Sequence, residues 1–226
     1  MNLQNPPNSG DSLALTYLND FEARTVEAIA ERIIPADGAA GGATQAGVVY
    51  YIDRAISGFS TGLQRVYRLG LRELERFCKQ EHSASFVDLT AQQQDDVVRR
   101  LYGKETGGDE TVHPEGLARP AMERQEQGNE GSESPGGINL ELLHTFFMVV
   151  REHTVEGYFC DPIYGGNRDA VGWRLVGFPG AQWGYTAEQM RPGFDATQIP
   201  TKTLSDLRRE LKNLPNNEQF YTDGEK

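Results

Sequence analysis

Three residues in the C-terminal half have side chains and a spacing that could carry chemistry. His153 and Glu156 are three positions apart, so on a helix they would present an imidazole and a carboxylate together to a metal ion or a substrate proton. Asp161 is the nearest further candidate ligand. Such groups more commonly cap a helix end and hold the following loop. A metal or acid–base site at these residues is therefore the secondary hypothesis.

A stretch rich in glycine and aromatic residues follows and is expected to turn sharply. Pro162 restricts Asp161 to an extended backbone, and Gly165 and Gly166 permit a positive φ that a β-carbon disfavours. Asp161, Asn167 and Arg168 can tie down exposed backbone groups of the loop. The loop would be an internal scaffold, a docking surface or a ligand loop, and its rigid aromatic and arginine side chains favour the first two. The candidate partner-interface residues are Tyr158, Phe159, Asp161, Pro162, Tyr164, Gly165, Gly166, Asn167, Arg168 and Trp173.

The helices that must position this loop are predicted from apolar residues at helical spacing. Asn19 and Glu22 form a capping box for a first helix that ends before Pro35. A second helix is expected from Gly47 to Ile56, and the apolar stripe from Leu63 to Cys78 predicts a third.

A further helix is expected at 91–102, where Thr90 and Gln93 form a second capping box, and another from the N-cap Asn139 to about 156, with Gly157 closing it. Shorter helices are expected around 170–176 and over 204–214. No alternating strand segments separate these helices. The predicted fold class is therefore all-α, a small helical domain with a long irregular glycine- and aromatic-rich loop region.

The segment 103–137 interrupts the helical pattern. It holds eight glycines and eight acidic residues but only three basic ones, so it cannot recover its ordering entropy by burial and is expected to be a flexible insert. The predicted organisation is a mobile tail at 1–14, an N-terminal helical part at 15–102, the insert, and the helix plus loop region at 138–180, which belongs to the same domain as 15–102. A C-terminal extension with one amphipathic helix follows at 181–226.

Charge and composition exclude several classes of function. The 226 residues carry a formal charge of −11, which argues against nucleic acid or an anionic lipid surface as a partner. No apolar run is long enough to span a membrane. The chain lacks the glycine fingerprints of dinucleotide and phosphate loops. Asp53 and Arg54 are expected to form a surface ion pair rather than a site.

The two cysteines, Cys78 and Cys160, cannot build a four-thiolate metal site. No secretory or twin-arginine signal precedes the first helix. A cytoplasmic location with reduced thiols is therefore expected, or a periplasmic one if the chain is exported with a partner.

Several motifs resemble the small subunit, subunit 3, of gluconate 2-dehydrogenase and of related membrane-linked sugar and polyol dehydrogenases. They are Arg151-x-His153-Thr154-x-Glu156-Gly157, Asp161-Pro162-x-Tyr164-Gly165-Gly166-Asn167, Gly172-Trp173 and Gly177-Phe178-Pro179-Gly180. Ile33-Ile34-Pro35-Ala36 and Ala46-Gly47-Val48-Val49-x-Tyr51-Ile52-Asp53 support them. The resemblance covers most of residues 15–180, without the insert.

The resemblance implies a noncatalytic, chaperone-like helical subunit that stabilises and positions a large FAD-dependent dehydrogenase of the glucose-methanol-choline class. That partner would oxidise a sugar, polyol or related alcohol and pass electrons to a cytochrome or another acceptor. No cofactor is then expected in this chain, and FAD belongs to the partner. Small subunits of this type often carry a twin-arginine signal, from which this sequence departs. The alternative is a self-sufficient small enzyme using His153, Glu156 and Asp161, and a third hypothesis is a chaperone that leaves after flavin insertion.

Overall fold

The computed structural model describes residues 14–38, 41–103 and 137–213, and these residues form seven α-helices and no strand. The helices are α1 (Asp20–Ile33), α2 (Val48–Ser57), α3 (Gln64–His82), α4 (Ala91–Tyr102), α5 (Leu140–Phe159), α6 (Val171–Val176) and α7 (Leu204–Lys212). The all-α prediction is confirmed. The predicted tail at 1–14 and the insert at 103–137 lie almost wholly outside the described residues.

Side-chain caps begin the helices where the sequence predicts them. Asn19 and Glu22 form both arms of a capping box at α1, and Thr90 and Gln93 do the same at α4. The Asn139 carboxamide oxygen accepts from the backbone N–H of Leu142 at 2.8 Å at the start of α5. Each cap satisfies donors that the first helical turn leaves unpaired, which is typically worth about 1 kcal/mol.

Helix α5 is the centre of the domain, because α1, α2, α3 and α4 all pack against it. Leu143 and Phe146 of α5 are fully buried. A β-carbon at Gly70 of α3 would collide with the Phe146 ring. This glycine of the predicted apolar stripe therefore allows α3 and α5 to approach closely.

The predicted surface ion pair of Asp53 and Arg54 is wrong. Asp53 is 1% exposed, and the backbone N–H groups of Thr16, Tyr17 and Leu18 donate to its carboxylate at 2.7, 2.9 and 2.8 Å. Burial alone would raise the pKa of Asp53, but these hydrogen bonds lower it overall. Asp53 thus fastens the segment before α1 to α2.

The prediction that Gly157 closes the long helix is also wrong, since α5 continues to Phe159. Gly157 is buried within the helix, where a β-carbon would come within 2.9 Å of the Tyr51 ring. Its small size serves the contact between α2 and α5 and does not end the helix. The last turns of α5 lead directly into the loop that the sequence singled out.

Candidate partner-docking site

The ten predicted interface residues fall into an inner and an outer group. Phe159, Tyr164 and Arg168 are exposed, Asp161 and Pro162 are half-buried, and Tyr158, Gly165, Gly166, Asn167 and Trp173 are buried. The buried residues shape the loop from inside the chain. The exposed ones are available to another molecule.

Asn167 links three parts of the loop region. Its side chain is fully buried, its amide nitrogen donates to the Cys160 carbonyl at 2.8 Å, and its oxygen accepts from the Gly172 N–H at 2.8 Å. The end of α5 and the start of α6 are thereby joined through one side chain. The expectation that Asn167 ties down loop backbone is confirmed.

Asp161 joins the loop to the C-terminal extension. One carboxylate oxygen accepts from the Ile163 N–H at 3.0 Å, and the other accepts from the Leu204 N–H at the start of α7 at 2.8 Å. Because both oxygens bind backbone donors, Asp161 acts as a cap shared by two segments.

Trp173 and Tyr158 anchor the loop to the body of the domain. The Trp173 indole N–H donates to the Phe159 carbonyl at 2.7 Å, and the Tyr158 hydroxyl donates to the Gly41 carbonyl at 2.6 Å. Trp173 is 6% exposed and packs edge-on against Phe178, with ring centroids 5.2 Å apart. Both large rings are therefore held at both ends, by packing and by hydrogen bonds.

The two adjacent glycines of the loop have different roles. Gly165 has φ of 105°, as expected for a sharp turn. Gly166 has no positive φ, contrary to the sequence expectation, and a β-carbon there would collide with the Gly157 carbonyl oxygen. Gly166 is thus a point of close contact between the loop and α5.

Arg168 reaches back to α2. Its guanidinium lies over the Tyr50 ring at 5.6 Å from the centroid, and its backbone N–H donates to the Ala46 carbonyl at 2.8 Å. The loop is therefore attached to α2 as well as to α5 and α6. Arg54 adds a weaker contact, from its guanidinium to the Ile163 carbonyl at 3.4 Å.

Beyond this rigid support, the chain exposes large apolar side chains from the last turn of α5 to residue 190. Trp183 is 59% exposed and Met190 is 67% exposed. We call the group the end surface; its members are Phe159, Tyr164, Leu175, Val176, Phe178, Trp183, Tyr185 and Met190. Exposed groups of this kind, rich in aromatic residues and methionine, are typical of protein–protein contacts.

The part of the end surface contributed by the extension is held at its base. The Ala181 N–H donates to the Lys202 carbonyl at 2.7 Å, and the Lys202 N–H donates to the Pro179 carbonyl at 3.0 Å. The Trp183 indole N–H donates to Glu210 of α7 at 2.7 Å. The exposed residues after 174 were not predicted, because the sequence of an aperiodic segment does not indicate which side chains face outward. Aromatic residues flanking glycine, as in Trp183-Gly184-Tyr185, were the available clue.

The alternative catalytic group is not brought together as a site. His153 Nδ1 and the Tyr67 hydroxyl are hydrogen-bonded at 2.9 Å inside the core, whereas Glu156 accepts from the Tyr51 hydroxyl at 2.9 Å. The Asp161 carboxylate binds the two backbone amides described above. Burial lowers the pKa of His153 to about 4 and raises the pKa of Tyr51, whose bond to Glu156 raises it further. These hydrogen bonds join different helices and loop segments, which is a structural role.

The cysteines are both free thiols. Cys78 is buried in α3, and Cys160 is half-buried after α5. Burial raises the pKa of both thiols to about 12, so neither is a reactive thiolate at neutral pH.

Across 14–38, 41–103 and 137–213, no three or more histidine, cysteine or acidic side chains are grouped to hold a metal ion. Within the same ranges, none of the helices has the length and hydropathy that a bilayer span requires. The family model described as gluconate 2-dehydrogenase subunit 3 matches residues 20–180. Comparison with curated proteins and with solved structures returned no match.

Proposed function

This chain belongs to the gluconate 2-dehydrogenase subunit 3 family and so is a subunit of a dehydrogenase complex; we propose that it is the noncatalytic small subunit. In this role it stabilises and positions a larger FAD-dependent dehydrogenase of the glucose-methanol-choline type. The larger subunit holds the flavin and oxidises a sugar, polyol or related alcohol. A cytochrome or another acceptor then receives the electrons.

The observation that carries the proposal is the end surface on its rigid support. A free monomer gains nothing from exposing large apolar side chains such as Trp183, Phe178 and Met190, whereas a subunit that remains bound to its partner would bury them. Because Asn167 and Trp173 fix the backbone at the end of α5, and Phe178 packs on the Trp173 ring, Phe159 and Phe178 lose little conformational freedom on binding. Large aromatic side chains on a fixed backbone are typical of hot-spot residues at stable interfaces.

The hydrogen bonds of His153 and Asp161 support a structural role for these residues, which first suggested catalysis. His153 is 3% exposed and bonded to Tyr67, and Asp161 uses both carboxylate oxygens on backbone N–H groups. A general acid or base must reach a substrate proton within hydrogen-bond distance. Neither residue presents a side chain to a substrate in this way.

The test is purification of the full-length tagged chain from its native source, followed by flavin analysis and an alcohol-dependent dye-reduction assay. We expect a larger polypeptide that contains FAD and is active as an alcohol or sugar dehydrogenase. The double variant Phe178→Ala/Trp183→Ala should lose most of this polypeptide and its activity.

The matched control is Leu140→Ala. Leu140 is 49% exposed, but it lies at the opposite end of the 20-residue helix α5, about 30 Å from Phe159. The control should retain the flavoprotein. A chain that purifies without a flavoprotein, or turnover by this chain alone, would refute the proposal, and equal retention by both variants would refute the assignment of the end surface.

A further inference from the structure

A groove lies between α1 and α2. Its volume is about 470 Å³, which is within the range of about 300–1,000 Å³ typical of small-molecule sites. Leu15, Ala23 and Val49 supply its apolar lining, and Tyr50 adds an aromatic ring. The groove is therefore large enough and apolar enough to hold a small ligand against one wall.

Polar groups of the groove have unused hydrogen-bonding capacity. Within the described part of the chain, the side chains of Glu27 and Arg24 and the Tyr50 hydroxyl form no hydrogen bond. The Arg24 guanidinium lies over the Phe21 ring, and Arg168 attracts Glu27. Glu31, on the same helix, uses both carboxylate oxygens on the N–H groups of Ala36 and Thr44. Glu27 is thus the half-buried acceptor of this face that remains available.

The charges of the groove balance. Asp20 and Glu27 are acidic, Arg24 is basic, and the Arg168 guanidinium lies over the Tyr50 ring at the side of the groove. Burial, with Glu31 adding to it, raises the pKa of Glu27, while Arg168 opposes this effect. With Arg168 counted beside the lining residues, two carboxylates and two guanidinium groups cancel in net charge, so the groove attracts neither a cation nor an anion overall and a ligand without net charge fits best.

We propose that this groove binds a neutral polyhydroxylated molecule of about monosaccharide size. Vicinal hydroxyls can donate to the Glu27 carboxylate and accept from Arg24, and the C–H face of the ligand can pack on Tyr50 and the apolar lining. The inference does not rest on the proposed function, because it concerns the face between α1 and α2 and not the end surface.

The test is a ¹H–¹⁵N NMR titration of the full-length chain with D-glucose and, separately, with sorbitol, ethylammonium and acetate. We expect saturable shifts at the backbone amides of Ala23, Glu27 and Tyr50 with glucose, or with both hydroxylated probes, but not with the ions. If glucose binds and sorbitol does not, the groove selects a ring-shaped ligand. If both bind equally, the groove is a general polyol site.

Glu27→Gln should weaken binding about tenfold, equivalent to about 1.4 kcal/mol, because it removes a charged acceptor. The matched control Glu152→Gln changes a carboxylate on α5 outside the groove and should bind as the wild type does. Tyr50→Ala should weaken binding more than Tyr50→Phe, which keeps the ring.

If Tyr50→Ala fails to fold, Glu27→Gln and Tyr50→Phe still decide the question. No saturable shift with either hydroxylated probe, saturation by ethylammonium or acetate instead, or wild-type affinity in Glu27→Gln would each overturn the inference.

Discussion

Acidification from pH 7 to pH 5 should destabilise this fold through His153. The side chain is 3% exposed, and its ring stacks on Tyr67 with an interplanar angle of 12° while Nδ1 is hydrogen-bonded to the Tyr67 hydroxyl. Burial lowers the pKa of His153 from 6.5 to about 4. Protonation would therefore place a charge in the core between α3 and α5.

The sign and size of this effect on the free energy of unfolding follow from proton linkage. Between pH 4 and 6.5 the unfolded chain holds the His153 proton more tightly than the folded chain does. The contribution of neutral His153 to the free energy of unfolding is therefore fully present above pH 6.5 and is lost as the pH falls to about 4. The difference between 6.5 and about 4 corresponds to about 3 kcal/mol in total, of which about 2 kcal/mol is lost by pH 5.

The assay is urea unfolding at pH 7 and pH 5 for the wild type and His153→Gln. Glutamine can still form a hydrogen bond with Tyr67 but does not titrate. The free energy of unfolding of the variant should therefore fall by about 2 kcal/mol less than that of the wild type between pH 7 and pH 5. His82→Gln, in the last turn of α3, is the control and should retain the wild-type pH dependence. An equal loss in wild type and His153→Gln would refute the assignment to His153.

Four further substitutions test other parts of the structure. Trp173→Ala should lower the free energy of unfolding by about 3–5 kcal/mol in urea melts, since it removes a buried ring, whereas Tyr164→Ala, at a side chain 54% exposed, should change it by less than about 0.5 kcal/mol. Similar losses in both would contradict the division into inner and outer residues. Ala170→Gly should raise the melting temperature, because Ala170 has φ of 55°, a conformation that costs a non-glycine residue about 1 kcal/mol; a lower melting temperature would show that its methyl group matters more. Asp53→Ala should accelerate hydrogen exchange at the Leu18 amide, which loses its acceptor, and unchanged protection there would refute the role given to Asp53.

The helices could be predicted because their signals are local. The capping boxes at Asn19 and Thr90 and the apolar stripe from Leu63 to Cys78 each lie within one element, and each appears in the structure at the predicted place. The errors at Asp53 and Gly157 have a different origin. Both residues serve contacts with parts of the chain distant in sequence, and local spacing carries no information about these contacts.

The loop also contains both kinds of feature: some that local sequence predicts and some that depend on contacts with distant parts of the chain. The sequence correctly indicated that Asn167 would hold backbone and that Gly165 would turn the chain. It gave the wrong reason for Gly166, because close approach to the Gly157 carbonyl cannot be distinguished from a positive φ in sequence alone. It also missed Trp183 and Met190, whose exposure depends on how the extension is attached at Lys202.

The glycines of this region explain how an aperiodic segment can present a defined surface. A β-carbon at Gly166 would strike the Gly157 carbonyl oxygen, and one at Gly172 would strike that of Tyr158. The loop and α6 therefore both lie directly against the backbone of α5, where little room remains for alternative packing. Since Phe178 packs on Trp173 in this arrangement, rigidity at the glycines extends to the exposed rings. Larger residues at Gly166 or Gly172 should thus impair partner binding without touching the partner, through displacement of the end surface.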